Sequence, residues 1–181
     1  MSSKIHNILE AAAASWPDKT AIIDQHGAVS YSEMQSLSFA YVDCFLKRGL
    51  GIGDRVLIHA TFEHWVLAAI NACSAIGAVA IPLSPDSPRA RWEYARQDTQ
   101  ALLEVTGPPL DPLRLNKRQV CTDSPPPDTA LFLYTSGSTG KPKAIMCGQR
   151  QVEFASLVIA QCLGYEYDDV ILCCRCPSTM G

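Results

Sequence analysis

The sequence predicts an α/β fold in which βαβ units form a mainly parallel sheet flanked by helices. Two observations carry that prediction: the order strand, helix, strand occurs twice in succession between residues 55 and 105, and the first two strands are apolar almost without alternation. Parallel strands need a long crossover, which a helix supplies, and burial on both faces erases the in-and-out pattern of a half-exposed strand. The third observation sets the scale. A chain of 181 residues, 48% apolar and 18% charged, can bury one sizeable core.

Ile5, Ile8, Leu9 and Ala12 recur at helical spacing, and Trp16-Pro17-Asp18 closes that helix. Ala21-Ile22-Ile23 and Val29-Ser30-Tyr31 read as short strands around a turn at Gly27. Ser30 and Glu33 have the S-x-x-E spacing of a capping box, in which hydroxyl and carboxylate satisfy backbone N–H groups left open at a helix start. Met34, Leu37, Tyr41, Phe45 and Leu46 then line one helical face as far as Gly49, a natural stop. After the Gly51-Ile52-Gly53-Asp54 turn, Arg55–His59 reads as a buried strand, followed by a helix from about Glu63 to Ile76 and a strand Ala78–Pro82. A helix from about Pro88 to Asp98 and a strand Leu102–Val105 repeat the pattern.

Between Gly107 and Asp128 lie six of the twelve prolines and no sustained period, so this stretch reads as an exposed connector. Strand character returns at Ala130–Tyr134 and Ala144–Met146, a helix is expected from about Gln151 to Leu163, and Val170–Cys173 reads as a strand. The chain thus divides into an α/β segment (1–106), a proline-rich connector (107–128) and a strand–loop–strand with its following helix (129–181), all parts of one domain.

Composition excludes several function classes. Fifteen basic and eighteen acidic residues are scattered to a net charge of −3, which leaves no basic stripe for nucleic acid. The apolar run Val66–Leu83 reaches the lower limit of a membrane span, but Asn71, Ser74, Gly77 and Pro82 interrupt it, and a buried helix running into a buried strand accounts for the same residues. The N-terminus lacks a secretory pattern, so the eight cysteines are expected as reduced thiols in the cytoplasm. Cys173-Cys174-Arg175-Cys176 holds one C-x-x-C without a second pair, so no metal site is expected and soft, buried strand residues are the plainer reading. His59, Glu63 and His64 form H-x-x-x-E-H, the wrong spacing for a zinc protease.

One segment demands more than packing. Tyr134-Thr135-Ser136-Gly137-Ser138-Thr139-Gly140-Lys141-Pro142-Lys143 places four serine and threonine hydroxyls, two glycines and two lysines at the end of a strand. Glycines let backbone N–H groups approach a ligand, hydroxyls donate to anionic oxygens and lysine adds positive charge, a combination suited to a polyphosphate. A serine- and glycine-rich turn with exposed lysines is the alternative. It is not a Walker A loop, because Pro142 follows Gly140-Lys141. With strand character at Ala144–Met146, the loop is expected to join two strands and not to open a helix.

At these residues the chain resembles the adenylate-forming superfamily of acyl- and aryl-CoA synthetases, luciferases and adenylation domains of nonribosomal peptide synthetases, whose phosphate-binding motif is similar to Tyr134–Lys143. Val29-Ser30-Tyr31-Ser32-Glu33-Met34, Gly51–Val56 and Ala75–Leu83 resemble further motifs of that family, and Pro85-Asp86-Ser87-Pro88 with Arg91 and Tyr94 is closest to its peptide-synthetase branch. The resemblance implies ATP and Mg²⁺ as cofactors, and Thr135, Ser136, Gly137, Ser138, Thr139, Gly140 and Lys143 as phosphate ligands. Lys141 occupies a variable position. It further implies a carboxylic acid substrate (amino, aryl or acyl), formation of acyl-AMP and pyrophosphate, and transfer to a thiol of coenzyme A or a carrier protein.

The chain departs from the family pattern at Ala144, where glycine is usual, and at Gln149, where many members have histidine. The resemblance also places the adenine loop, the ribose-holding acid and the catalytic lysine past Gly181, so no complete catalytic set is expected within these residues. A non-catalytic nucleotide-binding or interaction module, and a cysteine-based metal or redox protein, stand as the alternatives.

Overall fold

A computed structural model describes residues 4–109, 114–115, 125–135 and 142–173. Helix α1 (Ile5–Ser15) leads into an antiparallel hairpin, β1 (Thr20–Asp24) and β2 (Gly27–Ser30). Helix α2 (Tyr31–Lys47) starts at the expected capping box: Ser30 Oγ accepts from Glu33 N at 3.3 Å and Glu33 Oε2 accepts from Ser30 N at 2.7 Å. Met34, Tyr41 and Phe45 are buried on its inner face as the spacing predicts; Leu46 is instead 54% exposed, and Ser38 and Cys44 take up the buried stripe.

The main sheet has six strands in the order β6-β5-β3-β4-β7-β8: β3 (Arg55–His59), β4 (Val79–Leu83), β5 (Leu103–Val105), β6 (Arg114–Leu115), β7 (Thr129–Thr135) and β8 (Lys143–Gly148). The four inner strands are parallel, and the edge strands β6 and β8 run antiparallel to their neighbours. Helices α3 (His64–Ile76) and α4 (Arg89–Thr99) are the two crossovers. Side chains alternate between two cores. Val56, Ile58, Ala80, Leu103 and Val105 pack with α2 and α3, whereas Leu57, Ile81, Leu83 and Tyr134 pack with Trp92 and Ala95 of α4. The apolar run Val66–Leu83 divides at Gly77 into α3 and β4, and among the described residues no helix is long and apolar enough to cross a membrane.

Helix α5 (Gln149–Leu163) begins two residues earlier than its periodicity suggests, because Gln151 Oε1 accepts from Gly148 N at 2.8 Å and fixes the first turn. Gln149, buried among polar groups, accepts at Oε1 from Ile5 N and Ser74 Oγ, tying together the starts of α5 and α1 and the end of α3. The strand expected over Val170–Cys173 is not formed. Val170 and Leu172 are each 86% exposed and Cys173 is also exposed, contrary to the buried reading; β-prone residues need a paired edge to become a strand, and none lies beside them among the described residues. Ile145 and Met146 on β8 and Phe154 and Leu157 on α5 are apolar side chains left exposed.

Gly77 ends α3 with φ +75, and a Cβ there would lie 3.0 Å from Ile52 Cγ1. Ile52 is exposed and can yield, so the left-handed backbone supplies most of the strain. Gly77→Ala is therefore expected to cost about 1 kcal/mol, read as a lower urea midpoint, with Gly51→Ala near neutral because nothing lies within 4 Å of its Cβ position.

Candidate functional site

The ends of β7 and β8 flank the glycine- and hydroxyl-rich segment. Thr135 and Lys143 are cross-strand partners, and Thr135 Oγ1 donates to Lys143 O at 3.5 Å, the outer limit of a hydrogen bond. The segment therefore joins two antiparallel strands, as Pro142 and the strand pattern suggest. Of the residues expected to hold phosphate, the structure brings Thr135 and Lys143 together; Ser136, Gly137, Ser138, Thr139 and Gly140 lie outside the described residues. Because β7 runs parallel to β4, Thr135 sits at the carboxyl end of the parallel strands, the edge where open α/β sheets hold ligands. Lys143 is exposed there.

Helix α4 grips the same strand end. Arg91 Nη2 donates to Tyr134 O at 3.1 Å, Tyr134 Oη donates to Asp98 Oδ2 at 2.6 Å, and the Tyr94 and Tyr134 rings meet edge to face with centroids 6.3 Å apart. Tyr134 is buried, and that burial, reinforced by Asp98, raises its phenol well above the usual value, so it remains a donor. Arg91 and Tyr94 stand out in the sequence as family markers; Asp98 does not, because its partner is 36 residues away.

The residues of H-x-x-x-E-H separate to three different partners. His59 Nε2 bonds Glu104 Oε1 at 2.9 Å, His26 Nε2 bonds Glu63 Oε1 at 2.7 Å, and His64 Nδ1 bonds Asp24 Oδ2 at 2.7 Å. Glu63 also accepts from Gln25, Thr61 and Trp65, and Asp24 from the backbone N–H groups of His26 and His64. His26, Glu63 and His64 border a cavity of about 380 Å³ that is also lined by Trp65 and Gly107. Both oxygens of each carboxylate already have donors, so the cluster fastens the β1–β2 hairpin to the start of α3. Among the described residues no group of three or more His, Cys, Asp or Glu could hold a metal ion.

Cys44, Cys73, Cys147, Cys162 and Cys173 are thiols and not disulfides. Burial raises Cys44, Cys73 and Cys147 above the ordinary thiol value, the opposite of what a reactive cysteine needs.

Burial opposes the charge on Asp24, but bonds from His64 and His26 outweigh it and hold the carboxyl at about 2. The His26 bond, with Trp65, holds Glu63 at about 2, and the His59 bond, with Arg96, does the same for Glu104. Carboxylates held below their unfolded values add stability above about pH 4 and lose it as the pH falls toward 2. The thermal midpoint is expected to drop between pH 5 and pH 3. Glu104→Gln, less stable at neutral pH, is expected to show a flatter acid limb in the same melting series; a parallel limb would contradict the assignment.

Comparison with known proteins shows what the chain is similar to. A family model described as AMP-binding enzyme matches residues 9–124 and 102–177. L-proline--[L-prolyl-carrier protein] ligase of Pseudomonas fluorescens is 30% identical over 168 residues, covering 78% of this chain and 34% of that protein. The crystal structure of VinN superposes with a TM-score of 0.76 at 22% identity, over 92% of this chain and 49% of that one. O-succinylbenzoate coenzyme A synthetase (MenE) of Bacillus subtilis, solved in complex with AMP, gives a TM-score of 0.74 at 19% identity, over 92% and 48%. The chain thus spans about a third of that curated relative and half of those structures, whose fold is that of the N-terminal domain of adenylate-forming enzymes.

Proposed function

The chain belongs to the AMP-binding enzyme family, and on that premise we propose that it is the leading part of an ATP-dependent adenylating enzyme that activates an amino, aryl or acyl carboxylic acid. In that reaction a carboxylate oxygen attacks the α-phosphorus of ATP, the bond to the β-phosphate oxygen breaks, and acyl-AMP and pyrophosphate result; a thiol then takes the acyl group and releases AMP. The observation that carries the reading is the pairing of Thr135 with Lys143 at the mouth of a strand–loop–strand on the carboxyl edge of the sheet.

The role of this chain is to hold the phosphates. Charge grows on the departing pyrophosphate, and a cation with several donors aimed at it lowers the barrier. Lys143 supplies the cation and Thr135 a hydroxyl; Ser136, Gly137, Ser138, Thr139 and Gly140 are proposed as the remaining ligands. Hydroxyl and ammonium groups suit phosphate oxygens, and Mg²⁺ would be carried by those oxygens, where it neutralises their charge, because it keeps few protein ligands at such sites. The acceptor, a carrier-protein thiol or coenzyme A, is supported by the names of relatives that use one or the other. We place the chemistry in the cytoplasm, where ATP is available and thiols such as Cys44 and Cys73 stay reduced. Catalysis must also fix the acid and the α-phosphate within bonding reach, so further segments are required in this proposal.

Titration of the 181-residue chain with Mg·ATP tests it. Lys143→Ala is expected to weaken binding about tenfold, the worth of one charge-assisted contact, and Lys141→Ala less than about threefold. Equal effects of the two would contradict the assignment. Pyrophosphate exchange over a panel of amino, aryl and fatty acids is expected to show no acid-dependent signal from these residues alone.

A further inference from the structure

Residues 91, 94 and 98 are spaced i, i+3, i+7, which sets them on one face of α4, and all three contact a single residue by three different chemistries. That residue, Tyr134, immediately precedes Thr135 at the loop mouth. We propose that Arg91, Tyr94 and Asp98 form a positioning clamp on Tyr134 that holds the mouth of the phosphate loop in its binding geometry. The proposal deepens the phosphate reading above and rests on it.

The strand pairing shows why a clamp is needed. The parallel ladder between β4 and β7 is registered at Ala80↔Leu131, three residues short of Tyr134. At Tyr134 one edge of β7 pairs with Ala144 of β8, and its carbonyl accepts from the Arg91 guanidinium of α4. Arg91 thus ties α4 to the backbone of β7, and Tyr94 and Asp98 tie it to the Tyr134 side chain, where the chain leaves the sheet.

Packing alone does not explain these residues. A phenylalanine would fill the space of the Tyr134 ring, but the buried phenol O–H demands an acceptor, and Asp98 reaches in from the protein surface to provide one. Arg91 carries a matching cost, since its Nε is buried without a hydrogen-bond partner. An apolar residue would avoid that cost but could not donate to the Tyr134 carbonyl. Fixing the strand end matters for binding because phosphate ligands lose effectiveness when they are displaced by about 1 Å.

The experiment combines amide hydrogen exchange with Mg·ATP titration of the full chain. Asp98→Ala and Tyr134→Phe are expected to speed exchange about tenfold at Thr135, Lys143 and the amides between, to leave Val56–Ile58 unchanged, and to weaken Mg·ATP about fivefold. Asp98→Asn keeps an acceptor and is expected to restore both readouts. Unchanged exchange in Asp98→Ala would overturn the clamp. Faster exchange with unchanged Mg·ATP affinity, while Lys143→Ala still weakens it, would overturn its role in positioning. If Lys143→Ala leaves Mg·ATP binding intact, the phosphate reading fails and the clamp's purpose with it; the exchange data then show the mechanical coupling separately.

Discussion

Burial of β3 and β4 on both faces is the constraint from which the rest follows. Val56 and Ile58 face one core and Leu57 the other, so helices must cover both sides of the sheet. Parallel neighbours can be reached only through crossovers, which α3 and α4 supply. The loops leaving the carboxyl ends of these strands are then gathered on one edge, free of the core and able to carry polar chemistry. Thr135 belongs to that edge because β7 joins the sheet parallel to β4, and Lys143 is its partner across β8.

Polar groups placed inside this apolar frame fix its registration. Arg55, buried on β3, donates from Nε to Thr99 O at 2.6 Å and from Nη1 to Gly53 O at 3.1 Å, pinning the end of α4 to the start of the sheet. Gln149 gathers three helices at one carbonyl oxygen. Its amide is the reason the departure from histidine is structurally tolerated: a buried acceptor with two donors is satisfied. Each of these groups would be costly if unpartnered, so each selects one arrangement of the elements around it.

What was legible in the sequence is what local chemistry determines. Ser30 and Glu33 cap α2, Gly77 ends α3 in a left-handed conformation, and Pro142 argues for a hairpin; each acts on its own neighbours, and each is found in place. Long-range partners left no local trace. Asp24 meets His64 forty residues away, Tyr134 meets Asp98, and Gln149 meets Ile5, and none of these pairs has a spacing to recognise. Val170–Cys173 failed for a related reason, since strand propensity describes a surface suited to pairing and cannot supply the partner. The candidate site divides along the same line: the hydroxyl-rich motif and Arg91 and Tyr94 were readable as residues, and Asp98 and the contact of that helix face with Tyr134 were not.

The central proposal is that phosphate is gripped where β7 and β8 meet. The most direct measurement is an amide chemical-shift map of the labelled chain titrated with magnesium pyrophosphate. Saturable shifts are expected at Thr135, Lys143 and the amides between them, with His26, Glu63 and His64 unmoved. Shifts centred on the cavity at Glu63 and His64, with Thr135 and Lys143 still, would contradict it.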